Sequence, residues 1–344
     1  MRCIVTGGAG FFGSIMCEFL LDKGEEVLSI DILPLHDSNA RYRNVQCDIA
    51  DKDKLKKTIE EFGKVDAIFH CAAVLAHVKE KRERLWATNV DGTRNIMEIA
   101  QELKIPKVIF TSTYCVFSKS FQKAVDEDTP THPIEDYGRS KLEGERLLQA
   151  YPGVQGVAIR CPSIIQAGRL GLLTILFDFV REGRRLYVVN GGNNHYSFIA
   201  AKDLANACWM AARCDCAGLY HIGSDNVPTL RQVYSDLQVY AGKKPRLASV
   251  PQSLTTLGFS VLNALGLSPL SPYHYKMMSA NLVSDTTRLK RDIGWQPTMS
   301  NSEIMCEAYQ YYVDHLDDFR AANGNSPHKQ PAKMGVLNLL RLIS

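Results

Sequence analysis

A tyrosine and a lysine one helical turn apart form a pair that could carry acid–base chemistry. Tyr137 and Lys141 lie in the segment Tyr-Gly-Arg-Ser-Lys, and on a helix this spacing places both side chains on one face. An ammonium beside a phenol lowers the pKa of the phenol, so that the tyrosine can exchange a proton near neutral pH. The same ammonium could hold the ribose of a bound cofactor. The alternative is an ordinary surface pair, because this spacing also occurs by chance.

A glycine-rich loop near the N-terminus predicts a phosphate site. Glycines recur between a strand-like apolar run at residues 2–6 and a helical pattern at residues 11–23. Glycines let the backbone turn tightly and approach a pyrophosphate, whose charge is stabilised by the N-terminus of the helix. The predicted contacts of this dinucleotide loop are Gly7, Gly10, Phe11, Phe12 and Gly13.

An acidic residue, Asp31, ends the second predicted strand. A carboxylate at this place can bind both hydroxyls of a ribose and would repel a 2′-phosphate, which favours NAD over NADP. Arg41 and Arg43 lie downstream and keep NADP as the alternative. Asp48 and Ile49 follow a third short strand and could contact the adenine, although Asp48 could equally serve only as a helix cap.

Strands and helices alternate around these residues. The predicted strands of the first half are residues 2–6, 26–31, 67–71, 108–112 and 157–161. Helical patterns fall between them at residues 11–23, 52–62, 88–103 and 140–150. This alternation predicts an α/β fold, a Rossmann-type doubly wound parallel sheet.

The alternation loosens in the second half, which predicts a smaller C-terminal substrate domain over the carboxyl ends of the strands. Residues 170–182 and 201–212 have helical patterns, and residues 185–189 and 218–222 look extended. We predict an NAD-binding Rossmann domain at residues 1–165, rejoined by about 198–225, a substrate-binding domain at 166–320, and a polar linker with a basic amphipathic tail at 321–344.

The composition is that of an ordinary globular protein. Of 344 residues, 45% are hydrophobic and 22% are charged, which excludes a disordered chain, a collagen-like repeat and a protein of several membrane spans. The net charge of +3 is too small for nucleic-acid binding. The cysteines lie mostly in apolar runs, no secretory signal precedes the first strand, and no metal-ligand pattern is visible. We therefore predict a cytoplasmic protein with reduced cysteines and no metal.

Four motifs together resemble the extended short-chain dehydrogenase/reductase family. They are the glycine loop at residues 6–13, the turn His70-Cys71-Ala72-Ala73, Asn89 in Thr-Asn-Val-Asp-Gly-Thr, and the pair Tyr137 and Lys141. The likeness covers about residues 1–320. The family includes nucleotide-sugar epimerases and dehydratases, 3β-hydroxysteroid dehydrogenases and dihydroflavonol reductases. The resemblance adds Ala72, Ala73 and Asn89 to the predicted cofactor site, and it implies a homodimer through paired helices.

The resemblance also implies a reaction. Hydride would pass between a nicotinamide and a carbinol carbon while Tyr137 moves the hydroxyl proton. Lys141 would support this step electrostatically, and Thr113 would hydrogen-bond the substrate oxygen. Ser112, the neighbour of Thr113, is the alternative hydroxyl.

Several positions depart from the sugar-active members of the family. Dehydratases carry an Asp-Glu pair after the catalytic threonine, where this chain has Tyr114 and Cys115, which cannot eliminate water. Epimerases place an arginine on the sugar diphosphate where this chain has His195, a weaker cation. Ser163 stands where epimerases usually have an asparagine, and Lys276 could replace the missing arginine. The predicted substrate contacts are Ser163, His195 and Lys276.

The C-terminal half contains two apolar segments in basic surroundings. No acidic residue occurs at 237–284, and residues 254–270 within it are mostly apolar but too short and too broken by glycine and proline to span a bilayer. Residues 334–343 place leucines on one side of a basic helix pattern. Each segment could lie on a membrane surface. The alternatives are a lid helix packed on the protein for the first segment, and an oligomer contact or packing on its own domain for the second.

These observations predict an NAD(P)-dependent oxidoreductase that interconverts a secondary alcohol and a ketone on an apolar, lipid- or steroid-like substrate. One alternative is an NAD-dependent nucleotide-sugar 4-epimerase, which uses the same tyrosine and cofactor. Another is a non-catalytic NAD-binding protein. The predicted partners are the small-molecule substrate, a second copy of the chain and the inner face of a membrane, with no nucleic acid.

Overall fold

The computed structural model describes residues 1–34, 40–75, 81–168, 173–264 and 272–317. Its strands are β1 (Arg2–Thr6), β2 (Glu26–Asp31), β3 (Tyr42–Gln46), β4 (Ala67–His70), β5 (Lys107–Thr113), β6 (Gln155–Cys161), β7 (Ser163–Ile165), β8 (Leu186–Val189), β9 (Phe198–Ala200), β10 (Gly218–His221) and β11 (Leu247–Val250). Its helices are α1 (Phe11–Asp22), α2 (Lys52–Phe62), α3 (Arg82–Trp86), α4 (Gly92–Glu102), α5 (Asp136–Gln149), α6 (Leu173–Arg181), α7 (Ala201–Arg213), α8 (Leu230–Tyr240), α9 (Gln252–Ala264), α10 (Pro272–Met277), α11 (Thr287–Ile293) and α12 (Asn301–Asp314).

The main sheet confirms the predicted Rossmann-type fold. Its seven strands are parallel, in the order β10-β6-β5-β4-β1-β2-β3. The inner strands are buried on both faces, which explains their nearly continuous apolar sequences. The chain leaves β1 toward β2 on one side and later enters β4 on the other side. A ligand crevice opens at such a reversal of strand order, outside the carboxyl ends of the strands.

Helices cover both faces of this sheet. On one face, Met16 and Leu20 of α1 share a buried apolar cluster with Leu204 and Cys208 of α7. On the other face, a second cluster includes side chains of α2 and α4, among them Ile59. After β9, the chain returns to the main sheet with α7 and β10. This return lies within the predicted segment at about residues 198–225. The exact domain boundaries stay a prediction.

The C-terminal region is smaller and has its own core. Strand β8 pairs with β11, β7 pairs with β9, and α6, α8 and α12 pack around a third apolar cluster. The helix predicted at 254–270 is α9 in its first part, while 265–270 and the tail at 321–344 lie outside the described residues. Of the described helices, none is long and apolar enough to cross a bilayer.

The prediction that the cysteines are reduced is wrong for two of them, in the turn between α7 and β10. Cys214 and Cys216 are joined by a disulfide, and their Cα atoms lie 5.5 Å apart, within the range that disulfides require. The buried Lys107 ammonium donates to the carbonyl oxygens of both cysteines, at 2.9 and 2.6 Å. These bonds hold the turn in a compact form that brings the two sulfurs together. The other eight cysteines are free.

Candidate functional site

A cavity of about 490 Å³ opens at the carboxyl ends of the central strands. It lies where the strand order predicts a ligand crevice. Most of the predicted site residues line it: Gly7, Gly10, Phe11, Phe12, Gly13, Asp31, Asp48, Ile49, Ala72, Ala73, Ser112, Thr113, Tyr137, Lys141 and Ser163. Asn89, His195 and Lys276 are not among the lining residues.

At two positions of the glycine loop, the backbone conformation or the close packing permits only glycine. Gly7 has a φ of +74°, and a Cβ there would lie 2.7 Å from the backbone of Ala72. A Cβ on Gly13 would lie 2.0 Å from the carbonyl oxygen of Gly7. Helix α1 starts at this loop, and its N-cap residue, Gly10, offers no side-chain acceptor. The first amides of α1 therefore remain available for an anionic group such as a pyrophosphate.

The Asp31 carboxylate lies beside this loop. Its Oδ2 accepts from the amide of Ala9 at 2.9 Å, and its Oδ1 accepts from the amide of Leu33 at 2.9 Å. Of the two arginines that kept NADP as an alternative, Arg41 precedes β3 and Arg43 is its second residue. Asp31 pairs with Gln46 at the opposite end of that strand. Arg43 is 3.8 Å from the Glu61 carboxylate. The geometry around Asp31 therefore fits a ribose with free hydroxyls, as in NAD.

Asp48 lies at the far end of the cavity, next to Ile49. Its Oδ2 accepts from Arg84 Nη1 at 2.6 Å and its Oδ1 from the amide of Ala50 at 3.0 Å. The N-cap of α2 is Asp51 and not Asp48. Asp48 therefore shapes the turn before the helix and pairs with an arginine, while its side chain remains on the wall of the cavity.

The three predicted catalytic residues Thr113, Tyr137 and Lys141 line the cavity together. Tyr137 is the second residue of α5 and is half-buried, and Lys141 follows one turn later. Lys141 is only 2% exposed. Its Nζ donates to the carbonyl oxygen of Thr111 at 2.8 Å and lies 4.4 Å from the centre of the Phe110 ring. Burial lowers the pKa of Lys141 to about 8. Thr113 ends β5, and its Oγ1 accepts from the amide of Cys115 at 3.2 Å.

A glycine that the sequence analysis did not assign brings these elements together. A Cβ on Gly138 would lie 2.2 Å from the carbonyl oxygen of Cys115. Helix α5 therefore packs its backbone directly against the turn that follows Thr113, and both Thr113 and Tyr137 line the cavity. The signal in the sequence was a glycine between Tyr137 and Lys141, whose spacing predicts a helix, where glycine lowers helix propensity and usually has a packing reason.

Ser112 and Thr113 have different surroundings. The hydroxyl of Ser112 donates to the buried Glu145 carboxylate, which also accepts from Arg160 at 2.9 and 2.7 Å. Ser112 is 5% exposed. Because its hydroxyl is engaged in a buried ion pair, the arrangement favours Thr113 as the group that meets a substrate oxygen.

Asn89 is buried outside the cavity and hydrogen-bonds to the loop that follows β4. Its Nδ2 donates to the carbonyl of Val74 at 3.0 Å and to the Ser140 hydroxyl at 3.0 Å, while its Oδ1 accepts from the amide of Val74 at 2.8 Å. This side chain ties the cofactor-side loop to the helix that carries Tyr137. It positions the wall of the site and is not itself exposed in the cavity.

His70 is a packed core histidine, as one would expect after a buried strand. Its Nε2 donates to the hydroxyl of Thr93, which itself donates to the carbonyl of Asn89. Its Nδ1 therefore accepts from the hydroxyl of Thr6, at 2.7 Å. Burial lowers the pKa of His70 to about 3, so the ring is neutral and braces the base of the glycine loop.

The part of the cavity beyond Thr113 is apolar and aromatic. It is lined by Cys115, Pro162, Ser163, Ile164, Tyr196, Tyr273 and His274. The hydroxyl of Tyr273 donates to the carbonyl of Tyr114 at 3.1 Å, and burial raises the pKa of Tyr196 to about 12. Tyr114 is itself buried, and its hydroxyl donates to Ser284 Oγ at 2.6 Å. Burial raises the pKa of Tyr273 and Tyr114 as well, so the three tyrosines are neutral and contribute surface, not charge.

Two predicted substrate contacts lie outside this part of the cavity. His195 is exposed, and its Nδ1 donates to the carbonyl of Val227 at 2.8 Å. Its neighbour, Tyr196, lines the cavity in its place, because adjacent residues of an extended segment face opposite sides. Lys276 is on the exposed side of α10. Among the described residues, no group of His, Cys, Asp and Glu could hold a metal ion.

Comparison with known proteins assigns the family. Residues 3–223 match the model of the NAD-dependent epimerase/dehydratase family. The chain belongs to this family. It is 33% identical over 340 residues to the uncharacterized protein y4nG of Sinorhizobium fredii, an alignment that covers 98% of this chain and 85% of y4nG.

Other relatives in the epimerase/dehydratase family have two kinds of activity. The chain is 24% identical to a UDP-glucose 4-epimerase of Streptomyces lividans, over 91% of this chain and 97% of the relative. It is 26% identical to a 3-beta-hydroxysteroid dehydrogenase of Mycolicibacterium neoaurum, over 95% of each chain. Among solved structures, Bordetella bronchiseptica WbmG in complex with NAD and UDP has a TM-score of 0.75 at 18% identity, covering 92% of this chain and 96% of that one. This last likeness shows the fold.

Proposed function

We propose that this chain uses NAD to interconvert a secondary alcohol and a ketone on an apolar, lipid- or steroid-like molecule. The glycine loop would hold the pyrophosphate, and Asp31 would hold the ribose hydroxyls next to it. NAD, when bound, accepts or supplies the hydride. The protein supplies the proton transfer: Tyr137 takes or returns the hydroxyl proton, Lys141 stabilises the phenolate, and Thr113 donates to the substrate oxygen.

The observation that supports this choice of substrate is that the described wall beyond Thr113 contains neither lysine nor arginine. Among the described lining residues, Lys141 and Arg84 are the only lysine and arginine, and Arg84 is paired with Asp48 at the other end. A diphosphate buried without a cation is strongly disfavoured. An apolar alcohol has no such requirement and would pack against Ile164, Tyr196 and Tyr273. The 3-beta-hydroxysteroid dehydrogenase relative supports this class of substrate.

The second candidate is a nucleotide-sugar 4-epimerase. It is favoured by the UDP-glucose 4-epimerase relatives and by the shared tyrosine and lysine. An epimerase oxidises and reduces the same substrate, so it produces no net change in the cofactor. A binding protein without turnover is disfavoured, because the set Thr113, Tyr137 and Lys141 is complete. Cytoplasmic localisation and the homodimer stay predictions.

Net reduction of NAD separates these candidates. The full-length protein would be mixed with NAD and either detergent-dispersed hydroxysteroids and long-chain secondary alcohols or UDP-glucose, and the nicotinamide absorbance would be followed. We expect reduction of NAD with an apolar alcohol only, and a fall of at least about 100-fold in Tyr137→Phe. Interconversion of UDP-glucose and UDP-galactose without net NADH would establish the epimerase instead. NAD binding with neither reaction would indicate the binding protein.

A further inference from the structure

Helix α9 exposes an apolar stripe to solvent. None of its side chains is buried, and Leu254, Leu257 and Val261 are 60%, 64% and 51% exposed. Their spacing places them on one face of the helix. The helix carries no charged residue from Gln252 to Ala264. A helix that faces only water normally carries charges on its outer side, so this composition calls for a partner.

The other side of α9 packs on α10. The ring of Phe259 stacks on that of Tyr275, with centroids 6.0 Å apart. Gln252 Nε2 donates to the carbonyl of Tyr275 at 3.4 Å, and Gln252 Oε1 accepts from the Ser279 hydroxyl at 2.7 Å. These contacts fix the orientation of the helix, so that its leucines face outward from the protein.

Helix α10 connects this surface to the site. Its residues Tyr273 and His274 line the substrate part of the cavity, while its other contacts support α9. Helix α9 is therefore separated from the cavity by the thickness of one short helix. A molecule that enters beside α10 would pass directly from the outer surface of α9 to Tyr273.

The charged residues of the segment that contains the stripe are all basic. No acidic residue occurs at 237–284, whereas Lys276 on α10 is exposed. Glu135, the N-cap residue of α5, accepts from the amide of Tyr273 at 2.9 Å, on the helix that separates α9 from the cavity. A surface with an apolar centre and basic neighbours matches the boundary of an anionic bilayer. In a contact between two copies through this face, their lysines would approach without an acid from this segment to compensate them.

We propose that α9 is a docking helix for an anionic membrane, with Leu254, Leu257 and Val261 at the boundary between headgroups and acyl chains. The inference rests on the proposed function, because it gives a lipid-like substrate a route from the membrane into the cavity past α10. Docking through a stripe of three side chains is reversible. It differs from a membrane span, which none of the described helices can form.

Vesicle binding tests this proposal. The full-length protein would be floated with vesicles of phosphatidylcholine containing 30 mol% phosphatidylglycerol, and with vesicles of phosphatidylcholine alone. We expect binding to the anionic vesicles and a fall of about 30-fold or more in the partition coefficient for the triple variant Leu254→Ser, Leu257→Ser, Val261→Ser. The matched control is Val239→Ser with Tyr240→Ser on α8, whose side chains are 61% and 52% exposed. This control should bind like the wild type.

The assay in detergent separates this inference from the proposed function. The α9 variant should keep the oxidation of a micelle-dispersed alcohol within about twofold while it loses vesicle binding. Wild-type turnover without vesicle binding would overturn the docking helix and leave the proposed function intact. Vesicle binding that depends on α9, without turnover of any apolar alcohol, would support the surface and overturn the function. A concentration-dependent dimer that the α9 variant abolishes, with no vesicle binding, would assign the stripe to a second copy.

Discussion

The substitution Gly13→Ala tests the glycine loop directly. In most helices alanine is favoured over glycine by about 0.5–1 kcal/mol, because glycine loses more backbone entropy on folding. Gly13 is the third residue of α1, but a Cβ there would lie 2.0 Å from the carbonyl oxygen of Gly7. That oxygen belongs to the backbone of the loop and accepts from the amide of Gly10. It cannot move away without distorting the loop.

The magnitude follows from these opposing effects. Overpacking of this kind usually costs about 1–3 kcal/mol, so Gly13→Ala should lower the free energy of unfolding by about 1–2 kcal/mol. Gly258→Ala on α9 is the matched control, because a Cβ there meets nothing within 4 Å. It should raise the free energy of unfolding by about 0.5–1 kcal/mol. The same exchange of residue type is thus expected to have opposite signs in two helices.

Urea unfolding measures the stability of both variants, and calorimetric titration measures their affinity for NAD. Gly13→Ala should weaken NAD binding at least about tenfold, because the shifted loop moves the first amides of α1 away from the pyrophosphate. Gly258→Ala should leave the affinity unchanged. The reasoning would be refuted if Gly13→Ala were as stable as Gly258→Ala and bound NAD with the affinity of the wild type.

Three further predictions concern charge. Asp31→Ser should reduce the preference for NAD over NADP by about tenfold or more, because the carboxylate that would repel a 2′-phosphate is gone; an unchanged ratio of the two dissociation constants would contradict this role. In the free enzyme, the affinity for NAD should fall as the pH rises through about 8, because the buried Lys141 loses its charge there. The variant Lys141→Met should bind NAD weakly, and its affinity should not change between pH 7 and 9. The free energy of unfolding should fall as the pH drops below 6.5, because burial lowers the pKa of His70 and of His221 to about 3, and each ring takes up a proton only on unfolding. The slope approaches about 1.4 kcal/mol per pH unit for each histidine, and a urea midpoint that does not change between pH 7.5 and 5.5 would argue against neutral buried rings.

Local patterns were sufficient to predict the first part of the fold. β1 and β2 were predicted with the bounds that the structure shows, because an apolar run bounded by glycines is a signal within a few residues. The same locality explains why the loop and Asp31 were placed in one site. Both lie at the carboxyl end of a parallel strand, and the carboxyl ends of neighbouring parallel strands meet at one edge of the sheet.

The substrate part of the site depends on contacts between distant segments, which no local pattern encodes. The hydroxyl of Tyr273 donates a hydrogen bond to the carbonyl oxygen of Tyr114, which is 159 residues away in the sequence. Alignment to a motif predicted His195 as a contact, but the direction of a side chain on an extended segment depends on its pairing, and Tyr196 is the residue that faces the cavity. The close approach at Gly138 and the bond between Cys214 and Cys216 likewise depend on tertiary packing.

Calorimetric titration of the NAD-loaded protein with UDP, and separately with a detergent-dispersed hydroxysteroid, distinguishes a nucleotide-sugar substrate from an apolar one. The wall beyond Thr113 offers aromatic surface and no described arginine or lysine apart from Lys141. We therefore expect saturable binding of the hydroxysteroid and no detectable heat from UDP at millimolar concentration. Micromolar binding of UDP, with no binding of the hydroxysteroid, would contradict it.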